Sequence, residues 1–220
     1  MKRTRWIRKT AMMLALFCAV GSCLLQAASA SDEKKSASAD QVLLKGLVRD
    51  LKDPDSQVRR DAAVSILRLG PPAKEAIPAL LEAMKDKDPI VRQNSVDAVA
   101  EIAVAAPGVL PALVQSLKDE EYLVRTKSAG ALGVFGPDAR EALPQLLKAA
   151  HDEKKIVRAF VMEALGKIGP AEKVVPALVE GLKDSEEIVR LRAADALAVC
   201  QTPQAQQALE QYRKENRHKR

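Results

Sequence analysis

Two histidines and three cysteines hold most of the capacity for metal ligation or nucleophilic chemistry in this 220-residue chain, and their settings argue against both. His151 fills a position that recurs along the sequence, where its equivalents are Lys52, Lys85, Lys118 and Lys183. It therefore stands in for a surface cation near a helix C-terminus, where positive charge is mildly favoured. A metal site needs several convergent ligands, and a lone histidine in a lysine column does not supply them. His218 lies among the last residues with no visible partner. Cys200 shares its position with Leu69, Ile102, Phe135 and Ile168, which predicts a core residue. Cys-x-x-Cys pairs, phosphate-cradling glycine motifs and a G-x-S-x-G nucleophile elbow are all missing from the sequence. No catalytic, cofactor-binding or metal-binding residue is predicted, and no enzyme activity.

The other two cysteines, Cys18 and Cys23, lie in an N-terminal segment with its own logic. Lys2, Arg3, Arg5, Arg8 and Lys9 precede an apolar run from Ala11 to Leu25, and Ala28-Ser29-Ala30 supplies a small-residue cleavage pattern. Residues 1–30 read as a secretory signal peptide cut after Ala30, which predicts an exported protein, periplasmic or secreted. The apolar run is short for a membrane span, which needs roughly 20 residues, yet an uncleaved anchor stays open. So does lipoprotein processing: Val20-Gly21-Ser22-Cys23 resembles the bacterial lipobox, in which Cys23 would be acylated, although Leu24 and Leu25 continue the apolar run past it. Cleavage after Ala30 leaves Cys200 as the single thiol, so no internal disulfide is predicted.

Net charge follows the same division. The chain has 35 basic and 29 acidic residues, but the first thirty carry five of the former and none of the latter. At the other end Arg213, Lys214, Arg217, Lys219 and Arg220 outnumber Glu215. What lies between is slightly acidic, without the broad basic footprint of a non-specific nucleic-acid binder. Only the tail, residues 213–220, offers a nucleic-acid reading, and it is predicted to be disordered.

These residues are placed by one unit written five times. Val-Arg recurs at Val58-Arg59, Val91-Arg92, Val124-Arg125, Val157-Arg158 and Val189-Arg190, at intervals of 33, 33, 33 and 32 residues. Six residues before each arginine stands Asp53, Asp86, Asp119, Asp152 or Asp184. Eight residues before the last four of these stands Pro78, Pro111, Pro144 or Pro176, with Lys45 in the first unit. Self-similarity at this period is the signature of a repeat array. Each unit reads as two helices: a first helix with proline near its start, a polar turn at the aspartate, then a second helix. In that second helix Val58, Ala62, Ile66 and Leu69 share one face. Gly70-Pro71, Gly136-Pro137 and Gly169-Pro170 predict helix ends at a left-handed glycine. The residue missing from the 32-residue interval falls between Gly169 and Asp184, in the loop joining two helices. Leu67, Ala100, Gly133, Gly166 and Ala198, mostly small, let neighbouring helices approach closely.

Proline in the first helix, aspartate at the turn, Val-Arg in the second helix and Gly-Pro at its end together resemble HEAT repeats, closest to the short form named after phycobilisome lyases. The resemblance spans roughly residues 41–201. It implies an all-α, right-handed α-α superhelix of the HEAT/armadillo type, with five helix pairs. It also implies a structural ladder between adjacent repeats in which Asp53, Asp86, Asp119, Asp152 and Asp184 pair with Arg59, Arg92, Arg125, Arg158 and Arg190. Residues 40–212 form the repeat domain, closed by a capping helix over 203–212 with Ala205, Ala208, Leu209 and Tyr212 inside; residues 31–39 are a flexible linker. Among catalytic relatives, deoxyhypusine hydroxylase uses His-Glu pairs that this sequence lacks, and the repeat style of bilin lyases does not itself establish lyase activity.

What remains is a protein-binding surface on the second helices. One column holds Asp61, Asn94, Lys127, Phe160 and Arg192, and another Val64, Asp97, Gly130, Glu163 and Asp195. Variation within otherwise repeated units suggests an irregular partner, and Phe160 is predicted to be an exposed aromatic anchor. Asn94, Asp97, Lys127, Phe160, Glu163, Arg192 and Asp195 are the expected contacts of a scaffold or adaptor. The competing reading is an accessory chaperone or bilin-lyase-like factor that presents a client for modification.

Overall fold

A computed structural model describes residues 40–102 and 106–217. The signal segment, Cys18, Cys23, the linker 31–39 and Ala103 lie outside the described residues. The chain divides into two units, Met1–Gly46 and Leu47–Arg220. In the first, the described residues 40–46 are helical. The second begins with α1 (47–50) and continues through α2 (Ser56–Leu69), α3 (Ile77–Ala83), α4 (Pro89–Ile102), α5 (Val109–Ser116) and α6 (Tyr122–Phe135). It is completed by α7 (Leu143–Ala149), α8 (Lys155–Ile168), α9 (Ala171–Gly181), α10 (Glu187–Cys200) and α11 (Pro203–Arg217). The described residues are all-α, an HEAT/armadillo-like solenoid without strands.

The five second helices, α2, α4, α6, α8 and α10, have 14 residues each, about 21 Å or four turns. They pack in sequence, each on the next, while the first helices α3, α5, α7 and α9 lean on their own second helices and touch one another sparingly. The splay leaves open grooves between first helices, of about 440 Å³ beside α3 and α5 and about 500 Å³ beside α7 and α9. The second helices therefore form the close-packed layer. The core is equally periodic: Leu80, Leu113, Leu146 and Leu178 from first helices meet Ile66, Val99, Leu132, Leu165 and Leu197 from second helices, all essentially inaccessible. Burying a side chain of this size contributes about 1.5–3 kcal/mol, and one repeat alone could cover neither face.

Small residues set how closely layers approach. A Cβ on Gly166 would sit 2.7 Å from the Cβ of Ala196, and one on Gly133 would sit 3.4 Å from the Cα of Ala164. Gly70 and Gly136 end α2 and α6 at φ 61° and 54°, as the sequence predicts. Gly169 corrects that expectation. It is extended, at φ −85°, and what it provides is room, because a Cβ there would collide with Val174 Cγ1. The 32-residue interval shows up here too. Repeats two and four enter their first helices through 3₁₀ turns, Pro71–Ala76 and Gly136–Ala142, whereas α9 starts directly after Pro170. The segment expected to be a loop is thus largely helical, and Pro176 lies inside α9 instead of near its start.

The C-terminal end also departs from expectation. Ala205 and Leu209 are buried and Ala208 and Tyr212 half-buried, so the inner side of the closing helix is as read. The helix, however, runs on to Arg217, so Arg213 and Lys214 belong to it and not to a disordered tail. Glutamine, lysine and arginine are good helix formers, and nothing in this stretch breaks the pattern. Among the described residues no helix is long and apolar enough to cross a membrane.

Candidate functional site

The ladder is the most regular electrostatic feature. Arg59 donates from Nε and Nη2 to both carboxylate oxygens of Asp86 at 2.7 and 2.9 Å, and Arg92, Arg125 and Arg158 fork in the same way onto Asp119, Asp152 and Asp184. The third nitrogen, Nη1, donates to backbone carbonyls of the arginine's own turn, as from Arg92 to Asp86 O at 2.9 Å. Each arginine thus binds the carbonyl of the aspartate in its own repeat and the carboxylate of the next. Pairing runs one repeat forward, which corrects the same-repeat order in which the pairs are written from the sequence. The displaced register leaves Asp53 without an arginine and Arg190 without a carboxylate among the described residues. Asp53 instead accepts the Asp55 amide, and Arg190 donates only to the carbonyls of Asp184 and Ser185.

These pairs are largely buried; Arg59 and Arg92 side chains are 6% and 8% exposed. Hydrogen bonding to Asp86 and Asp119 raises the pKa of each, so both stay charged. Burial works against the charge of Asp86 and Asp152, but the arginine forks and the amides of Asp88 and Lys154 outweigh it and hold both carboxyls below the usual range. For Asp184 the Arg158 fork is the leading cause of the same lowering. Bidentate guanidinium–carboxylate geometry gives direction as well as energy, so the ladder fixes how one repeat is set on the next.

The outward face of the second helices carries the predicted contact residues, and the structure joins most of them to one another. Lys127 Nζ lies 2.8 Å from Asp97 of the preceding repeat, and Arg192 lies 3.3 Å from Glu163. Lys167 also bonds Glu163 and, with Arg192 nearby, holds that carboxyl below its ordinary range. Phe160 follows the same geometry without charge: its ring rests on Gly130, where an added Cβ would lie 3.4 Å from Cδ1. It is half-buried, not the exposed anchor the sequence predicts, because the glycine opposite lets the ring lie down on the neighbouring helix. Asn94 is half-buried and Asp195 exposed.

A row that sequence reasoning missed lies on the same face. Ile90, Leu123 and Ile188 are 42%, 37% and 39% exposed and Ile156 is half-buried, one in each layer from the second to the fifth, each immediately before its Val-Arg pair; the first layer has Gln57 there. The signal stood in the sequence as a repeated aliphatic beside the valine, but it merges there with the apolar pattern of the helix. Tyr122 lies beside Leu123, with Lys154 of the next repeat 6.0 Å from its ring centroid. Val134 and Val199 expose apolar surface at the far edge.

His151 is exposed, 4.0 Å from Glu180, as expected for a surface position. Cys200 is only half-buried, a correction to the core placement: among the described residues no second helix packs on the far side of α10. Its Sγ donates to the Ala196 carbonyl and burial pushes its pKa up. Among the described residues no group of His, Cys, Asp and Glu is arranged to hold a metal ion.

Residues 41–133, 110–198 and 143–220 match the family of HEAT repeats. The chain is a HEAT repeat protein. Solved structures similar to this HEAT repeat protein include an engineered protein, 20% identical over 78% of this chain and 96% of that one, with a TM-score of 0.59. The complex of CpcE and CpcF of phycocyanin lyase from Nostoc sp. PCC7120 is 21% identical over 72% of this chain and 65% of that one, with a TM-score of 0.62. A designed armadillo repeat protein in complex with the peptide (KR)4 is 23% identical over 77% and 87%, with a TM-score of 0.60. At these identities the likeness is one of architecture. No curated protein matches the sequence.

Proposed function

We propose that this HEAT repeat protein is an exported scaffold that holds a protein partner along the outward face of its second helices and changes no covalent bond in it. The observation that carries this reading is the row Ile90, Leu123, Ile156 and Ile188. Layers of a helical stack repeat about every 8–10 Å, and one turn of a polyproline II segment, three residues at about 3.1 Å each, advances about 9 Å, so a segment in that conformation could set every third side chain against successive members of the row. The paired charges behind it supply a polar rim, as at protein interfaces generally. Repeats of this family commonly bind protein or peptide partners, and a peptide-bound armadillo protein shares the architecture. Export rests on the basic start, the apolar run from Ala11 to Leu25 and the small residues at Ala28–Ala30.

Affinity capture from the exported fraction tests the proposal. The unaltered chain should retain a reproducible partner of unchanged mass, and the Ile90→Ser/Leu123→Ser/Ile188→Ser variant should retain about tenfold less, with helical circular dichroism preserved. Equal recovery by both proteins, or a partner recovered in covalently altered form, would overturn it.

A further inference from the structure

Acidic residues open the second helices, with one exception. Asp55, Asp88 and Glu121 each stand just before their helix and accept a hydrogen bond from one of its first amides, and Glu186 holds the same place before α10. Negative charge is favoured there by capping and by the helix dipole. At α8 the position holds Lys154, whose side chain makes no cap, and Lys155 follows it. A cation at a helix start works against the dipole, so helix stability does not account for Lys154.

Its charge is only loosely matched within the chain. Lys155 reaches Glu186 at 3.0 Å, and Arg158 is committed to its fork on Asp184. Lys154 has Glu153 at 3.7 Å, beyond hydrogen-bond range and shared at the same distance with Arg125, and the ring of Tyr122 at 6.0 Å. The Lys154 side chain is 50% exposed and, with Tyr122, Ile156 and Ser185, lines a groove of about 680 Å³. That groove joins a loosely held ammonium and an aromatic ring to Ile156, the fourth repeat's member of the aliphatic row.

We infer, resting on the scaffold reading of that row, that Lys154 selects the partner: the segment lying on the row carries a carboxylate side chain next to the residue that covers Ile156. A side chain beside that contact is the one within reach of the groove, and charge decides its type. The layers on either side present the opposite sign at the same place, Glu120 and Glu121 before α6 and Glu186 and Glu187 at the start of α10. A carboxylate is therefore attracted at the fourth repeat and repelled at the third and fifth. Lys154 thereby fixes the register in which a segment with a three-residue period lies on a periodic surface. The aliphatic row alone cannot do this, because its members are alike.

The probe is a fluorescently labelled peptide, Pro-Leu-Pro-Glu-Leu-Glu-Pro-Leu-Pro, whose leucines fall at the three-residue period of polyproline II. Glutamate on both sides of the middle leucine presents a carboxylate to the groove in either chain direction. In anisotropy titrations against the whole protein it should bind about tenfold more tightly than the counterpart with lysine in place of glutamate. Lys154→Glu should abolish or reverse that preference without lowering the melting temperature, since it gives α8 the acidic start of its neighbours. The Ile90→Ser/Leu123→Ser/Ile188→Ser variant should bind both peptides weakly. Equal binding of the two peptides by the unaltered protein, or a preference that survives Lys154→Glu, would overturn the inference and leave the row intact. So would a melting temperature lowered by Lys154→Glu, which would show the lysine to be kept for stability. If neither peptide binds, the row fails and selection by Lys154 fails with it.

Discussion

At Gly166 the space left for a side chain is smaller than a methyl group. Its missing Cβ would meet Ala196 at 2.7 Å and the backbone Cα at 3.0 Å, neither of which belongs to a flexible tip that could swing away. Replacing Gly166 with alanine must push α8 and α10 apart. Overpacking of this kind costs about 1–3 kcal/mol, against about 1 kcal/mol that alanine contributes as a better helix former. Gly166→Ala is therefore expected to lower stability by up to about 2 kcal/mol, whereas Gly133→Ala, whose nearest contact is an ordinary 3.4 Å, should be neutral or stabilising by up to about 1 kcal/mol. Urea unfolding of the two variants checks the contrast; equal midpoints would show that helix spacing is not set by these residues. The small column was legible in the sequence because it repeats. The different demands of its members were not, since they depend on what the following layer places opposite. Phe160 fails for the same reason: its own column is polar, and only the glycine of another column gives its ring somewhere to rest.

Among the helices, α9 is the exception, and its proline makes the difference measurable. Pro78 stands in the first turn of α3, where an amide hydrogen would have no partner, but Pro176 is the sixth residue of α9. There it removes a helical hydrogen bond and crowds the carbonyl four residues earlier. Pro176 is exposed, so its removal sacrifices no packing. Pro176→Ala should raise stability by about 1–3 kcal/mol, while Pro78→Ala should change it by less than about 0.5 kcal/mol, both read from thermal unfolding. A similar response at the two sites would mean that the extended start of α9 does not form. Helix number, order and buried faces could be read from periodicity alone. The entry into α9 could not, because losing one residue lets a helix begin earlier as easily as it shortens a loop, and spacing does not distinguish the two.

For the solenoid as a whole, the ladder predicts a response to acid. Asp86, Asp152 and Asp184 ionise below their ordinary range when folded, whereas in the unfolded chain they take up protons near pH 4. Between those values the unfolded state binds more protons, so stability falls as pH falls; above about pH 5 the contribution is complete. Melting temperature should be level from pH 7 to pH 5 and drop below about pH 4. The Asp86→Asn/Asp152→Asn/Asp184→Asn variant should melt lower at pH 7 and show a shallower acid limb; parallel curves for the two proteins would rule the ladder out as the cause. The aspartate and arginine columns were plain in the sequence, but the forward step of their pairing was not, since period alone does not say which neighbour a side chain reaches. That forward step also gives the array a direction matched to the way chains are made. A ribosome releases the N-terminal layer first, with its arginine extended toward sequence not yet translated. Each new turn then delivers the carboxylate that the waiting guanidinium lacks, so a growing chain carries a single open charge at its leading edge, however many layers lie behind it.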